Sequence, residues 1–141
     1  MDAKTLDLFD RSLLRCETRW DFLDRFYERF LAMSPEVAEK FATTDFVKQK
    51  RALRASLHHL LLAAQNEARG PDAFLGDIAT RHGADQLAIG AHLYDFWLDA
   101  LLATVKECDP EFSPEVEKAW EDVMMVGIRY LCASYHGRRG A

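Results

Sequence analysis

Apolar residues return every three or four positions through almost the whole chain, and nowhere do they alternate with polar ones in a β-branched run. That period matches the helical turn and excludes a half-buried strand. The breaks between stripes carry helix-start chemistry. Ser34-Pro35-Glu36 and Ser113-Pro114-Glu115 each offer a serine N-cap followed by proline at the first helical position. There the missing N–H of proline removes no helical bond. Thr43-Thr44-Asp45 and Gly70-Pro71-Asp72 are further boundaries. The first stripe holds Leu6, Leu8, Phe9, Leu13 and Leu14. A second, through Trp20, Leu23, Tyr27 and Phe30 with Phe22 and Phe26 beside it, runs to about Met33. A short helix ends near Phe41, and a long one carries Phe46, Gln49, Leu53, Leu57, Leu60 and Ala64. Leu75, Ile78 and His82 share a face of another short helix. Tyr94, Trp97, Leu98, Leu101, Leu102 and Val105 line the next, and Val116, Trp120, Val123, Met124, Gly127 and Leu131 the last. The pattern predicts an all-α fold of about seven helices, two of them short, as one domain over residues 1–141.

Composition removes several function classes. With 141 residues, 49% hydrophobic and 29% charged, the chain can bury an ordinary core and is not disordered. No apolar run reaches the roughly 18 residues of a membrane span. Met1-Asp2-Ala3-Lys4 lacks the layout of a secretion signal, so a cytoplasmic setting and no membrane are expected. A net charge of −5 argues against nucleic acid as a partner, and the basic cluster Lys48, Lys50, Arg51 and Arg54 reads as a solvated helix face. Cys16, Cys108 and Cys132 form no metal or redox motif and read as unpaired thiols.

Three helices place a polar side chain where an apolar one belongs: Tyr27 beside Leu23 and Phe30, Gln49 between Phe46 and Leu53, and His82 one turn after Ile78. An imidazole aimed into a core needs a partner for each ring nitrogen. The bland reading of each is a hydrogen-bonded core histidine and a tyrosine at the rim. The set as a whole suits a pocket for a flat apolar cofactor with a metal centre, bound axially by imidazole and faced by donors on the other side. His58 lies nine positions after Gln49, roughly opposite the apolar stripe at about 100° per residue, so His58 and His59 read as surface groups.

In order along the chain, these residues resemble a globin, specifically the single-domain bacterial haemoglobins and the haem domain of flavohaemoglobins. Arg25-Phe26-Tyr27-Glu28-Arg29-Phe30, then Ser34-Pro35-Glu36 and Phe41, look like the family's second and third helices. Tyr27 falls at the distal tyrosine and Phe41, 14 residues on, at the phenylalanine that packs on haem. Gln49-Lys50-Arg51-Ala52-Leu53 looks like the distal helix, with Gln49 at the distal glutamine and Leu53 over the haem. Arg81-His82 falls at the proximal histidine and Tyr94 at the proximal-side tyrosine. Several features depart from the family, among them a loop from His82 to Tyr94 about two residues longer and a step from Phe41 to Gln49 about two shorter. The position matching a glutamate of the last helix is near Tyr135, and Trp97 is bulkier than usual.

The resemblance implies haem b (iron protoporphyrin IX), without thioether links because no Cys-x-x-Cys-His exists, and His82 as the iron ligand. Phe41, Phe46, Leu53, Ile78, Tyr94 and Trp97 would line the pocket, and Arg81 and Lys48 are candidate propionate partners. Tyr27 and Gln49 would donate hydrogen bonds to O₂, favouring it over the less polar CO and slowing its release. The gases O₂, NO and CO are the expected ligands, with oxygen transport as one use. NO oxidation to nitrate is an enzymatic alternative if a separate reductase restores ferrous haem. Without the glutamate, His82 would push less electron density to iron and activate peroxide weakly. A haem-based gas or redox sensor acting through a partner protein, and a haem-free globin-fold interaction module, are the competing readings.

Overall fold

The computed structural model describes residues 1–66 and 91–140, with side chains described for 1–66 and 92–129. Six helices are described: α1 (Ala3–Glu17), α2 (Phe22–Ala32), α3 (Pro35–Lys40), α4 (Phe46–Gln65), α5 (Ala91–Cys108) and α6 (Pro114–Gly140). No strand occurs among the described residues. The predicted short helix carrying Leu75, Ile78 and His82 lies outside them.

The starts fall where the sequence placed them. Ser34 Oγ accepts from the N–H of Glu36 at 3.1 Å, and Ser113 Oγ from that of Val116 at 3.2 Å. Asp45 Oδ1 accepts from Val47 and Lys48 N–H at 3.1 and 3.3 Å. Each cap satisfies amide donors that no helical carbonyl can reach. α2 crosses α5, and α1 crosses α6, in the two most extensive helix contacts. Their shared core holds Phe9, Leu13, Phe22, Phe26, Leu101, Val105, Trp120, Val123 and Met124, all fully buried.

Two expectations are corrected. Trp20 does not extend the apolar face of the second helix. It sits in the turn before α2 and is 88% exposed, because the helix begins only at Phe22. Leu14, placed in the first stripe, faces solvent, and Ser12 and Cys16 take the buried positions of α1 instead.

Ser12 is buried for a reason that spacing hides. The indole Nε1–H of Trp120 donates to Ser12 Oγ at 2.8 Å, and the Ser12 hydroxyl donates to Asp109 Oδ2 at 2.6 Å. Arg15 closes on the same carboxylate through Nε to Oδ1 at 2.6 Å and Nη2 to Oδ2 at 2.9 Å. The N–H of Glu111 donates to Oδ1 at 2.8 Å. A buried carboxylate thus joins α1, the turn after α5, and α6. Burial alone would raise the Asp109 pKa, but Arg15, Ser12 and the Glu111 amide hold it below the usual carboxylate value.

At the crossing of α4 and α6, Gly127 meets Leu60. A Cβ at Gly127 would stand 2.1 Å from Leu60 Cδ2, so any side chain there would force the Leu60 side chain out of its present position.

Two outcomes follow from this packing. Asp109→Asn leaves the Arg15 guanidinium without its charge partner and should lower unfolding stability by about 3 kcal/mol at neutral pH in urea titration. Because the folded pKa is depressed, this stabilisation is present above the unfolded value of about 4 and disappears as pH falls through the folded one. The difference between wild type and variant should therefore narrow in acid. A pH-independent difference would contradict the assignment. Gly127→Ala should destabilise the wild type by crowding Leu60, yet stabilise a Leu60→Ala background by about 1 kcal/mol, where helix propensity alone is left. The same sign in both backgrounds would contradict the close approach.

Candidate functional site

α2, the α3–α4 corner and the first turns of α4 converge on Tyr27. Its ring lies edge-on to Phe26 at 4.9 Å and to Phe46 at 5.4 Å, and 6.4 Å from Phe41. Phe41 and Phe46 are near-parallel, 6.5 Å apart at 28°. Behind them Phe30 meets Phe41 edge-on at 5.6 Å and stacks on Phe26 at 5.6 Å. Tyr27, Phe26 and Phe30 are buried, whereas Phe41 and Phe46 are only partly so. The result is an aromatic wall with an open face. Each contact between rings is worth about 0.5–1.5 kcal/mol beyond burial, so the wall holds Tyr27 in one place.

The hydroxyl of Tyr27 is the polar point in that wall. The side chain of Gln49, one turn into α4, faces it. Burial pushes the phenol up to about 12, and Gln49 opposes this without reversing it. Tyr27 is therefore a neutral O–H at physiological pH, able to donate, and Gln49 supplies amide N–H groups beside it. Leu53, one turn on, is buried.

α5 closes the other side with an incompletely buried apolar strip. Trp97, Leu98 and Leu102 pack against the core while staying partly accessible. Trp97 meets Phe26 edge-on at 6.0 Å, so its ring reaches the aromatic wall from behind Tyr27. Tyr94 is half-buried one turn earlier on α5.

Of the residues singled out in the sequence, Tyr27, Phe41, Phe46 and Gln49 come together directly, Leu53 continues the same helix face, and Tyr94 and Trp97 share a helix on the α5 side. Ile78, His82 and Arg81 lie outside the described residues, as do the side chains of Tyr135 and Leu131. Lys48 is exposed. The supporting pair Phe26 and Phe30 was not among the singled-out site residues. Their spacing of four, with Tyr27 between, was the available signal. His58 is a surface group, 2.8 Å from Glu17 Oε1, and His92 is exposed 2.8 Å from Glu36 Oε2. Cys16 and Cys108 are free and buried, and burial pushes the Cys16 thiol up to about 12, which leaves it unreactive.

A sequence model of the globin family matches residues 24–129, which include every described residue of this site. The chain belongs to the globin family. The fold of this globin also superposes on the crystal structure of protein PA3967 from Pseudomonas aeruginosa PAO1, itself characterised as structurally highly homologous to a human haemoglobin. The two share 41% identity with a TM-score of 0.84, covering 93% of this chain and 98% of the other. No curated protein matches the chain.

The protonation of Tyr27 is open to direct titration. With ¹³C-labelled tyrosine, one resonance should titrate near pH 12. Tyr27→Phe should remove that resonance, and Gln49→Leu should move its midpoint higher, because the side chain that favours the phenolate is gone. A Tyr27 resonance titrating near the free value of about 10 would contradict the buried hydroxyl.

Proposed function

We propose that this globin binds haem b, that His82 would hold its iron, and that Tyr27 and Gln49 would hold O₂. Three observations support the reading. The family match spans the whole stretch from Tyr27 to Trp97. Globins as a family bind haem. The chemistry of the described side chains also fits a flat apolar group, because Phe41, Phe46, Trp97, Leu98 and Leu102 each pack against the core while staying partly accessible. The observation that carries it is the buried Tyr27–Gln49 pair, two neutral donors set in an aromatic wall.

When bound, ferrous haem supplies the affinity for O₂, NO and CO. The chain's own residues supply the selectivity. Phe41 and Phe46 offer ring faces to an apolar plane and exclude water from it. Tyr27 Oη–H and the Gln49 amide donate to a diatomic ligand that carries partial negative charge, which favours O₂ over CO. Leu53 and Trp97 limit the volume available. If His82 held the iron through one ring nitrogen, its other N–H would need a backbone or side-chain acceptor, which would fix its tautomer. The resemblance puts Tyr135 rather than an acid at the position matching the family's glutamate, so that acceptor would be neutral. The site then retains O₂ better than it cleaves peroxide. Oxidation of NO to nitrate is a further capacity of such a site when a separate reductase supplies electrons.

An absorption spectrum of the purified protein should show a Soret band, and His82→Ala should abolish or strongly alter it while leaving the helical circular dichroism intact. A wild-type protein without the band after haem addition, or a variant with an identical spectrum, would overturn this reading.

A further inference from the structure

α4 presents Gln49 and Leu53 inward and an unusual charge pattern outward. From Phe46 to Gln65 it holds Lys48, Lys50, Arg51, Arg54, His58 and His59 and no acidic residue, in a chain whose net charge is −5. Lys48, Lys50 and Arg51 stand in the first two turns, where the helix dipole disfavours cations. Lys48 and Arg51, and Arg51 and Arg54, are three apart, so like charges share one face. The fold only partly neutralises them. Lys50 pairs with Asp24, while Arg54 stands 3.9 Å from Glu17 Oε1. Lys48 and Arg51 make no ion pair with the described residues and are exposed. Two exposed apolar residues bound the strip, Val47 at 67% and Leu62 at 41%. The exposed Trp20 stands beside it, lining with Arg19, Arg54, Leu57 and Glu17 a cleft of about 120 Å³, and Glu17 also meets His58 at 2.8 Å, so the uncompensated charge lies on Lys48 and Arg51. Helix propensity permits lysine and arginine on an exposed face but does not account for a strip with no acidic residue along it. An exposed indole beside a row of guanidinium groups has the composition of a binding hot spot.

We propose that the outer face of α4, together with Trp20, is a docking surface for an acidic partner protein. Charge complementarity selects this occupant. A second copy of the chain related by a two-fold axis would set the cationic strip against itself. Resting on the function proposed above, the partner is a one-electron donor: a reduced iron–sulfur protein loses one electron and ferric haem gains it. A partner on this face is separated from Gln49 and Leu53 by the width of one helix.

The sign of the salt dependence tests this. A net charge of −5 would make an acidic protein bind more tightly as salt rises, whereas a local cationic surface makes it bind less tightly. The probe is an acidic plant-type [2Fe–2S] ferredoxin, titrated calorimetrically against the haem-loaded protein at low salt. Binding should weaken as salt is added, and Arg51→Glu/Arg54→Glu should weaken it by about tenfold or more, with Trp20→Ala about fivefold, at unchanged circular dichroism. The charge-matched control Lys4→Glu/Lys118→Glu should leave affinity within about twofold. The rate at which the reduced ferredoxin reduces the ferric protein should fall with salt in parallel. Absent binding at low salt, equal losses in the control, or concentration-dependent self-association that masks the face would overturn the proposal. So would binding of this strip to phosphatidylserine vesicles but not to ferredoxin. A missing Soret band would defeat the haem reading alone, since calorimetry on the chain still decides the docking.

Discussion

A phenol surrounded by phenylalanine rings needs a hydrogen-bond partner, because an unpaired buried hydroxyl costs about 1–3 kcal/mol. The side chain that faces Tyr27 is that of Gln49, which favours the ionised phenol against the effect of burial. Gln49 reaches it because α4, leaving the Asp45 cap, turns its Leu53, Leu57 and Leu60 face into the core. With that roll set, Lys48, Arg51 and Arg54 point to water. The polar inner position and the cationic outer strip are two consequences of one helix orientation.

The wall that holds Tyr27 needs a frame, and Asp109 provides much of it. The carboxylate binds Ser12, Arg15 and the Glu111 amide, and through Ser12 it reaches the indole of Trp120. Trp120 in turn meets Phe9 edge-on at 4.7 Å and Phe22 at 6.4 Å. Phe22 opens α2, the helix that carries Tyr27. Charge, hydroxyl, indole and phenylalanine thus form a continuous path from the turn after α5 to the start of the site helix. Arg25 adds a second tie, bonded to Asp21 at 2.6 Å and paired with Glu107 at the end of α5.

The helices were legible because their signals are local. Ser34, Ser113 and Asp45 each announced a start, and the three- and four-residue spacing named most of the inward face of α4 and of α6 as far as residue 129. The misreadings have one cause. Trp20 and Leu14 fit a helical stripe by type, but α2 begins at Phe22 and α1 turns its Ser12–Cys16 side inward to meet Asp109. A partner 97 positions away decides that rotation, and no window of sequence contains it. On the site, polar side chains on apolar faces singled out Tyr27 and Gln49, which face each other in the fold. The stacked Phe26 and Phe30 looked like ordinary core. Their role became visible only when Phe41 arrived from another helix to meet Phe30.

Tyr27 is a neutral donor, and if it holds O₂ as proposed, the O₂ dissociation rate of the haem-loaded protein reads that role most directly. Loss of one hydrogen bond of about 1–2 kcal/mol predicts that Tyr27→Phe releases O₂ about tenfold faster than wild type, with CO dissociation changed far less. An O₂ off-rate unchanged in Tyr27→Phe, or one that shifts equally with that of CO, would contradict it.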